Sequence, residues 1–441
     1  MRNKKRRISI ALFLTGILFI MNVLSGCGSI GESTGQFASD SEGLLLTEGD
    51  FYDPSKVITI TGWFETEYTQ NLMAYLAEKY PENIFEYQYI SKSSYEEITD
   101  SKLASKYAAD IIMVNPLMAK KHGQSGYLVN LTQYCEEFTD AARESFMYNG
   151  EIYAIPSTSE YQCTFYNRKI FENSGQKMPS SFAGYLDLCD YIRLQMGIKP
   201  VSIGLKDPER AADSAIAYLI SGYFASEKGK TFGTRLENGD ASFAKELQPY
   251  LTKWREIVGR NIYTKEMCIM DSKAAIKEFA NEESFMYVGS VEDYNRIIEL
   301  NPNIRIGTVA SFSERKGFPV IIGGCNCGFA VNTYTKNYEV ATEIVANLAT
   351  EEGQKVLWSD RMGSRTYLEG VSFDNPPTFD GLRPTLSAGR VFSPWNEWGE
   401  YSSQIYSLFG EEMQRVIAGD RTIEVALKVI DDKVKTIQKQ N

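Results

Sequence analysis

Between residues 57 and 115 three strand-like runs alternate with two helix-like stretches, and that order leaves few folds open. Residues 57–63 (VITITGW) are rich in β-branched side chains and predict a strand. Residues 67–80 follow with Leu72, Tyr75, Leu76 and Tyr80 at helical spacing. A second strand is predicted at 84–90, a second helix at 95–107, and 110–115 (DIIMVN) is a short apolar run such as a buried parallel strand shows. A β-α-β-α-β order means a parallel sheet with helices on its faces.

Residues 148–156 (YNGEIYAIP) read as a hairpin turning at Asn149-Gly150. A second αβ series follows. It has helices at 181–196, 212–224, 241–260 and 271–281, and strands at 201–205, 285–289, 304–310, 318–322 and 328–331. Helices at 337–349, 351–359, 404–418 and 422–438 close it. With 441 residues, 43% of them apolar, the chain can bury two cores, so two parallel-sheet lobes are expected. Open α/β sheets bind ligands in the crevice outside the carboxyl ends of their strands. Those ends are Trp63-Phe64-Glu65, Asn115-Pro116, Gly204 and Gly289-Ser290.

The N-terminus has a different character. Five bases (Arg2, Lys4, Lys5, Arg6, Arg7) precede an apolar run at 8–23, whose length suits a signal h-region better than a membrane span. Leu24-Ser25-Gly26-Cys27 then resembles the lipobox of bacterial lipoproteins. That resemblance implies a signal peptide at 1–26, cleavage before Cys27, acylation of its sulfur, and retention at the outer face of the cytoplasmic membrane. Two or three acyl chains anchor stably where one binds only marginally. Residues 27–55, rich in Gly, Ser and acids and without period, read as the lipidated Cys27 and a flexible tether. Such a tether has a reach of roughly 30 Å.

Catalytic signals are absent. A net charge of −11 argues against nucleic acid as a partner, and a single histidine, His122, leaves no basis for His-based catalysis or a His-rich metal site. No GxSxG elbow, P-loop, HExxH or GxGxxG opening a helix occurs. The cysteines of the body (Cys135, Cys163, Cys189, Cys268, Cys325, Cys327) lack zinc spacing and read as small buried hydrophobes. No cofactor, no metal and no enzymatic activity are expected.

The segment 148–168 (YNGEIYAIPSTSEYQCTFYNR) is where the chain resembles a known family. It is similar to the hinge-crossing segment of extracellular solute-binding proteins of the carbohydrate-uptake class, relatives of the maltose-binding protein. Further similar segments are AIKEFANEESFMYVGS at 275–290, GGCNCGFAVN at 323–332 and YEVATEIVANLATEEGQ at 338–354. The aromatic segment 392–398 and the helix at 422–434 complete the family's order. The resemblance implies an α/β, two-lobe periplasmic-binding-protein fold with a hinge and a ligand cleft between the lobes. The N-terminal lobe would comprise 56–158 and 318–362, the C-terminal lobe 159–317 and 363–441. It implies a monomeric, lipid-anchored receptor of an ABC importer, delivering a sugar or oligosaccharide to the permease. A polyamine or other small solute, and a ligand-presenting role beside a membrane sensor kinase, are the alternatives. A glycoside-processing enzyme would need paired carboxylates across the cleft. The chain departs from the family pattern at Phe182, which stands where members often carry Trp, at Val291-Glu292, where many carry Trp, and at Cys325-Asn326-Cys327, where many carry an aromatic.

The candidate ligand residues follow from both readings. Trp63, at a strand's end, can stack on the C–H face of a pyranose. Glu65 can accept sugar hydroxyls, or can stand as an acid at a helix N-terminus. Asn115 can donate and accept, or can cap the helix that Pro116 opens. Gly289 and Asn326 lie in loops at the cleft edge. The resemblance adds Glu160 and Tyr161 at the lobe crossover, and Trp395, Asn396 and Trp398 as an aromatic platform. Arg361 and Arg365 read as structural residues near a second crossover.

Overall fold

The computed structural model describes residues 53, 56–394, 398–399 and 401–439. The expected leader, Cys27, nearly all of the expected tether, Trp395 and Asn396 lie outside the described residues. In chain order the strands are β1 (Val57–Gly62), β2 (Ile84–Tyr89), β3 (Ile111–Val114), β4 (Met147–Tyr148), β5 (Glu151–Ile152), β6 (Ile155–Pro156) and β7 (Glu160–Asn167). They continue with β8 (Lys199–Ser202), β9 (Ser284–Ser290), β10 (Ile306–Val309), β11 (Ile321–Gly324), β12 (Gly328–Val331) and β13 (Val391–Phe392).

The first sheet has the order β2-β1-β3-β12-β6. β1 runs parallel to β2 and β3, with Val57 opposite Ile84 and Ile60 opposite Ile111. The fully buried run of β3 suits its central place, since a parallel strand is covered on both faces. Helices Gln70–Lys79, Lys92–Ala104, Pro116–Gln124 and Tyr338–Leu348 pack on this sheet through Leu72, Tyr95, Met118 and Ile344, forming one core. β4 and β5 form the expected hairpin, turned by Asn149 (φ 52°) and Gly150 (φ 84°).

The second sheet has the order β13-β11-β7-β9-β8, with β10 also paired to β7. It is mixed, not parallel as the sequence suggests, and the first sheet is mixed too, because β12 runs antiparallel to β3 and β6. β7 runs antiparallel to β9, β10 and β11, while β8–β9 and β11–β13 are parallel. The reason is the entry point. β7 follows β6 after only Ser157-Thr158-Ser159, so it leaves the first lobe without a crossover helix. β9 is fed by the helix Ser272–Ala280 and runs the opposite way. The carboxyl end of β9 therefore lies beside the amino end of β7. The second lobe buries its own clusters, one around Trp254, Phe232, Phe243 and Trp398, another around Phe165, Tyr287 and Phe379.

Three connections join the lobes: 157–159, 325–327, and the chain leaving the helix Glu351–Asp360. The passage expected near 318 falls later, because β11 pairs with β7 (Gly323 opposite Tyr161) and so belongs to the second sheet. The connections are tied together. Ser157 N donates to Cys327 O at 2.9 Å, Ser159 N to Arg365 O at 2.9 Å, and Arg361 to Ser157 Oγ at 2.6 Å. Gly323, at φ 149°, has no room for a side chain: a Cβ there would collide with the Glu160 carbonyl oxygen.

Candidate functional site

The strand ends that face the connections line a pocket with walls from both lobes. Its first-lobe wall carries Trp63, Tyr95, Asn115 and Met118. Tyr95 stands on the helix after β2, its hydroxyl 2.9 Å from Thr61 O and 2.8 Å from Met113 O, which ties β1 to β3. The Trp63 ring meets Tyr95 edge-on at 5.1 Å, so one aromatic ring holds the other in place. Trp63 Nε1 is buried without a hydrogen-bond partner, an N–H that a ligand oxygen would satisfy. Asn115 is a helix cap that also faces the pocket. Its Oδ1 accepts from Met118 N at 2.8 Å as the cap of Pro116–Gln124, and the residue lines the pocket.

Glu160 opens β7, Asn326 comes from the connection 325–327, and Glu209, Ser403 and Tyr406 come from the second lobe's helices. Glu160 is buried, with Oε1 lacking a hydrogen-bond partner. Behind it lies a row of buried charge. Arg210 donates to Gln162 and, at 2.9 Å, to Ser290 Oγ. Asp293 accepts from Tyr287 OH and Ser290 N, both at 2.8 Å. Asp213 accepts from the Tyr406 hydroxyl, and burial pushes its carboxyl up to about 7. Burial also raises the carboxyls of Glu209 and Glu96. The lobes meet through Lys92–Glu209 at 2.8 Å, Tyr68 OH donating to Asp293 at 3.0 Å, and Lys273, which lies 3.0 Å from Glu65 and 3.1 Å from Glu67.

The sequence candidates thus divide. Trp63, Asn115, Glu160 and Asn326 come together in one pocket. Glu65 stands at the lip, engaged by Lys273 from the other lobe. Tyr161 is corrected to a core residue, 4% exposed. It follows Glu160 on a strand, so its side chain leaves by the opposite face. Gly289 is also corrected: a Cβ there would overlap the Tyr287 ring and the Asp293 carboxylate, so packing requires the glycine. Trp398 is 1% exposed and sits among Phe243, Phe409 and Phe224 at centroid distances of 5.4, 5.7 and 6.2 Å. It is core because the helix Ser402–Ala418, which it precedes, packs against the second lobe's helices.

Sequence reasoning missed Lys92, Tyr95, Glu96, Glu209, Ser403 and Tyr406. A signal for most was present. A helix that follows a strand by a short turn begins at the same edge where the strand ends. Ser91 before Lys92–Ala104 and Asp207-Pro208 before Pro208–Leu219 mark two such starts. Tyr406 had no local signal, since it arrives from a helix late in the chain.

Residues 74–380 match a family model described as bacterial extracellular solute-binding protein. A relative, the multiple sugar-binding protein of Streptococcus mutans, is 19% identical over 293 residues, covering 63% of this chain and 67% of that one. Among solved structures, the solute-binding protein RafE in complex with raffinose superposes with a TM-score of 0.73 at 18% identity, covering 87% of this chain and 99% of that one. A sugar transporter protein of Bacillus licheniformis in complex with stachyose gives 0.72 at 15% identity, covering 87% and 100%. These likenesses carry the two-lobe fold.

Proposed function

The chain belongs to the bacterial extracellular solute-binding proteins, and from that membership we propose that it captures a sugar or oligosaccharide between its lobes and delivers it to the permease of an ABC importer. One observation carries the reading: a pocket lined from both lobes sets aromatic rings beside amide, hydroxyl and carboxylate groups. A pyranose needs flat apolar faces for its C–H groups and dense donors and acceptors for its hydroxyls. Trp63 and Tyr95 supply the first, and Asn115, Glu160, Asn326 and Ser403 supply the second. The names of the relatives, among them proteins bound to raffinose and stachyose, support the same class.

Capture requires that the ligand bind the joined lobes better than the separated ones. The connections at 157–159 and 325–327 are where the lobes would turn, as hinge closure does in this protein class. Cys27 anchors the chain by lipid at the outer face of the membrane, with 28–55 as tether, and the protein acts as a monomer.

A thermal-shift screen over neutral mono- and oligosaccharides tests the reading. Ligand at one hundred times its dissociation constant should add about 2.7 kcal/mol of stability. A screen in which no saccharide moves the melting point rejects it. Cys27→Ala should abolish acyl labelling, and labelling that persists would reject the anchor.

A further inference from the structure

Two buried carboxylates, one lining the pocket and one just outside its lining, each keep an oxygen without the partner that buried charge requires. The β7–β9 register places Gln162 opposite Ser290 and Cys163 opposite Gly289, and Val291 N donates to Tyr161 O at 2.9 Å. The strand ends at Ser290 and Glu292 has the helical backbone (φ −61°, ψ −24°) that opens the helix Asp293–Leu300, while the Val291–Tyr161 bond keeps this turn beside the start of β7, where Glu160 stands. Glu160 and Glu292 are 9% and 8% exposed. Each retains a carboxylate oxygen without a hydrogen-bond partner, Oε1 of Glu160 and Oε2 of Glu292. Glu160 lines the pocket itself.

The neighbouring cations do not resolve this. Lys92 feels the field of Glu160, but its ammonium is 2.8 Å from Glu209. Arg210 feels the field of Glu292, but it donates to Gln162 and Ser290. Asp293, the next carboxylate along, is satisfied by Tyr68, Tyr287 and the Ser290 amide. Burial, with Asp293 and Glu160 adding to it, pushes the Glu292 carboxyl up to about 7. Two like charges in a water-poor site call for a proton or a cation between them. Among the described residues no group of three or more His, Cys, Asp or Glu is arranged to hold a metal ion. An organic ammonium, with three donors and one positive charge, fits two carboxylates.

We propose that the solute carries a protonated amino group, which sits between the carboxylates of Glu160 and Glu292. The proposal rests on the reading of this cleft as the solute site. An amino sugar and a linear polyamine share that chemistry, and the test separates them.

Four probes are titrated by calorimetry into the purified full-length chain at neutral pH and low salt. Three are β-1,4-linked disaccharides of one skeleton carrying hydroxyl, N-acetyl or free amino groups at C2, and the fourth is spermidine. The free-amino disaccharide is expected to bind at least about tenfold more tightly than its hydroxyl counterpart, as a charge-assisted bond allows. Glu292→Gln should shrink that ratio to below about threefold, since one carboxylate then remains. Spermidine binding alone, lost in Glu292→Gln, upholds the ammonium seat and rejects the sugar. Equal affinities for the three disaccharides overturn the seat and leave the sugar reading intact. No binding by any probe overturns both. A second measurement needs no ligand: removing one of two repelling charges should raise the melting point of Glu160→Gln and of Glu292→Gln. If neither variant melts higher, the pair is already neutralised within the chain and the proposal falls.

Discussion

The two walls of the cleft are built on different physics. The first-lobe wall is a framework of rings: Trp63 is propped by Tyr95, whose hydroxyl bridges β1 and β3. The second-lobe wall rests on buried charge, with Asp213, Glu292, Asp293 and Arg210 close behind the pocket-lining Glu209 and Tyr406. Ring contacts depend on shape and hardly on pH or salt. Buried carboxylates depend on both, because desolvation disfavours their ionised form. On the proposed function one solute would be read twice, for flatness by one lobe and for polarity by the other, and each reading can be disturbed separately.

The largest effect expected lies behind the second wall. Trp398→Ala should remove roughly 3–5 kcal/mol of stability, as deletions of buried aromatics do, while solute affinity at a permissive temperature stays unchanged. Denaturant melts beside calorimetry would show it. A loss of affinity without a loss of stability would return Trp398 to the cleft. Next comes pH. In the unfolded chain the Asp213 carboxyl releases its proton near its ordinary value of 3.8, whereas folded, with burial disfavouring its charge, it holds the proton to about 7. Between those values the folded state binds more protons, so stability falls as pH rises through the window and levels off above it. At 1.36 kcal/mol per unit the share of Asp213 is at most about 4 kcal/mol. Asp213→Asn should flatten the melting-point profile from pH 4 to 7, and an unaltered slope would place the proton elsewhere.

Trp63→Ala tests the first wall. It should weaken binding by roughly 1–4 kcal/mol, with little change in the pH profile of stability. Unchanged affinity would mean that the rings support the sheet only. The smallest effect concerns the lip where the walls meet. Lys273→Ala breaks the pairs to Glu65 and Glu67, which are exposed and screened, and should cost less than about 1 kcal/mol of affinity. That deficit should vanish at high salt, and a deficit insensitive to salt would argue for a contact other than this ion pair.

Most of the secondary structure was legible in the sequence because it is written locally. The expected strand at 328–331 coincides with β12, and the expected helix at 181–196 with Phe182–Met196, capped by Ser181 and ended by Gly197. The direction of the second sheet was not legible. It depends on β7, a strand that reads as a hinge segment and whose partners lie more than a hundred residues away in β9 and β10. The cleft was half legible for the same reason. Trp63 and Asn115 end strands and could be found by rule. The buried charges could not, because a carboxylate looks the same in sequence whether water or Tyr406 surrounds it. Trp398 shows the reverse error, in which an aromatic in a familiar segment proved to fill a core.

The place of β12 in the first sheet also sets a schedule for synthesis. β12 lies between β3 and β6, yet its residues, Gly328–Val331, are made long after Val114 and Pro156. At ribosomal rates the interval from Val114 to Val331 is roughly 10–40 s. During that time the inner edge of β3, four apolar residues, has no native strand to meet. A chain that must stay threadable while it is made gains from this order. The first lobe cannot lock until three-quarters of the polypeptide exists, so if residues 1–26 serve as the export leader the sequence leads one to expect, a translocation channel would meet an unfinished sheet and not a finished domain.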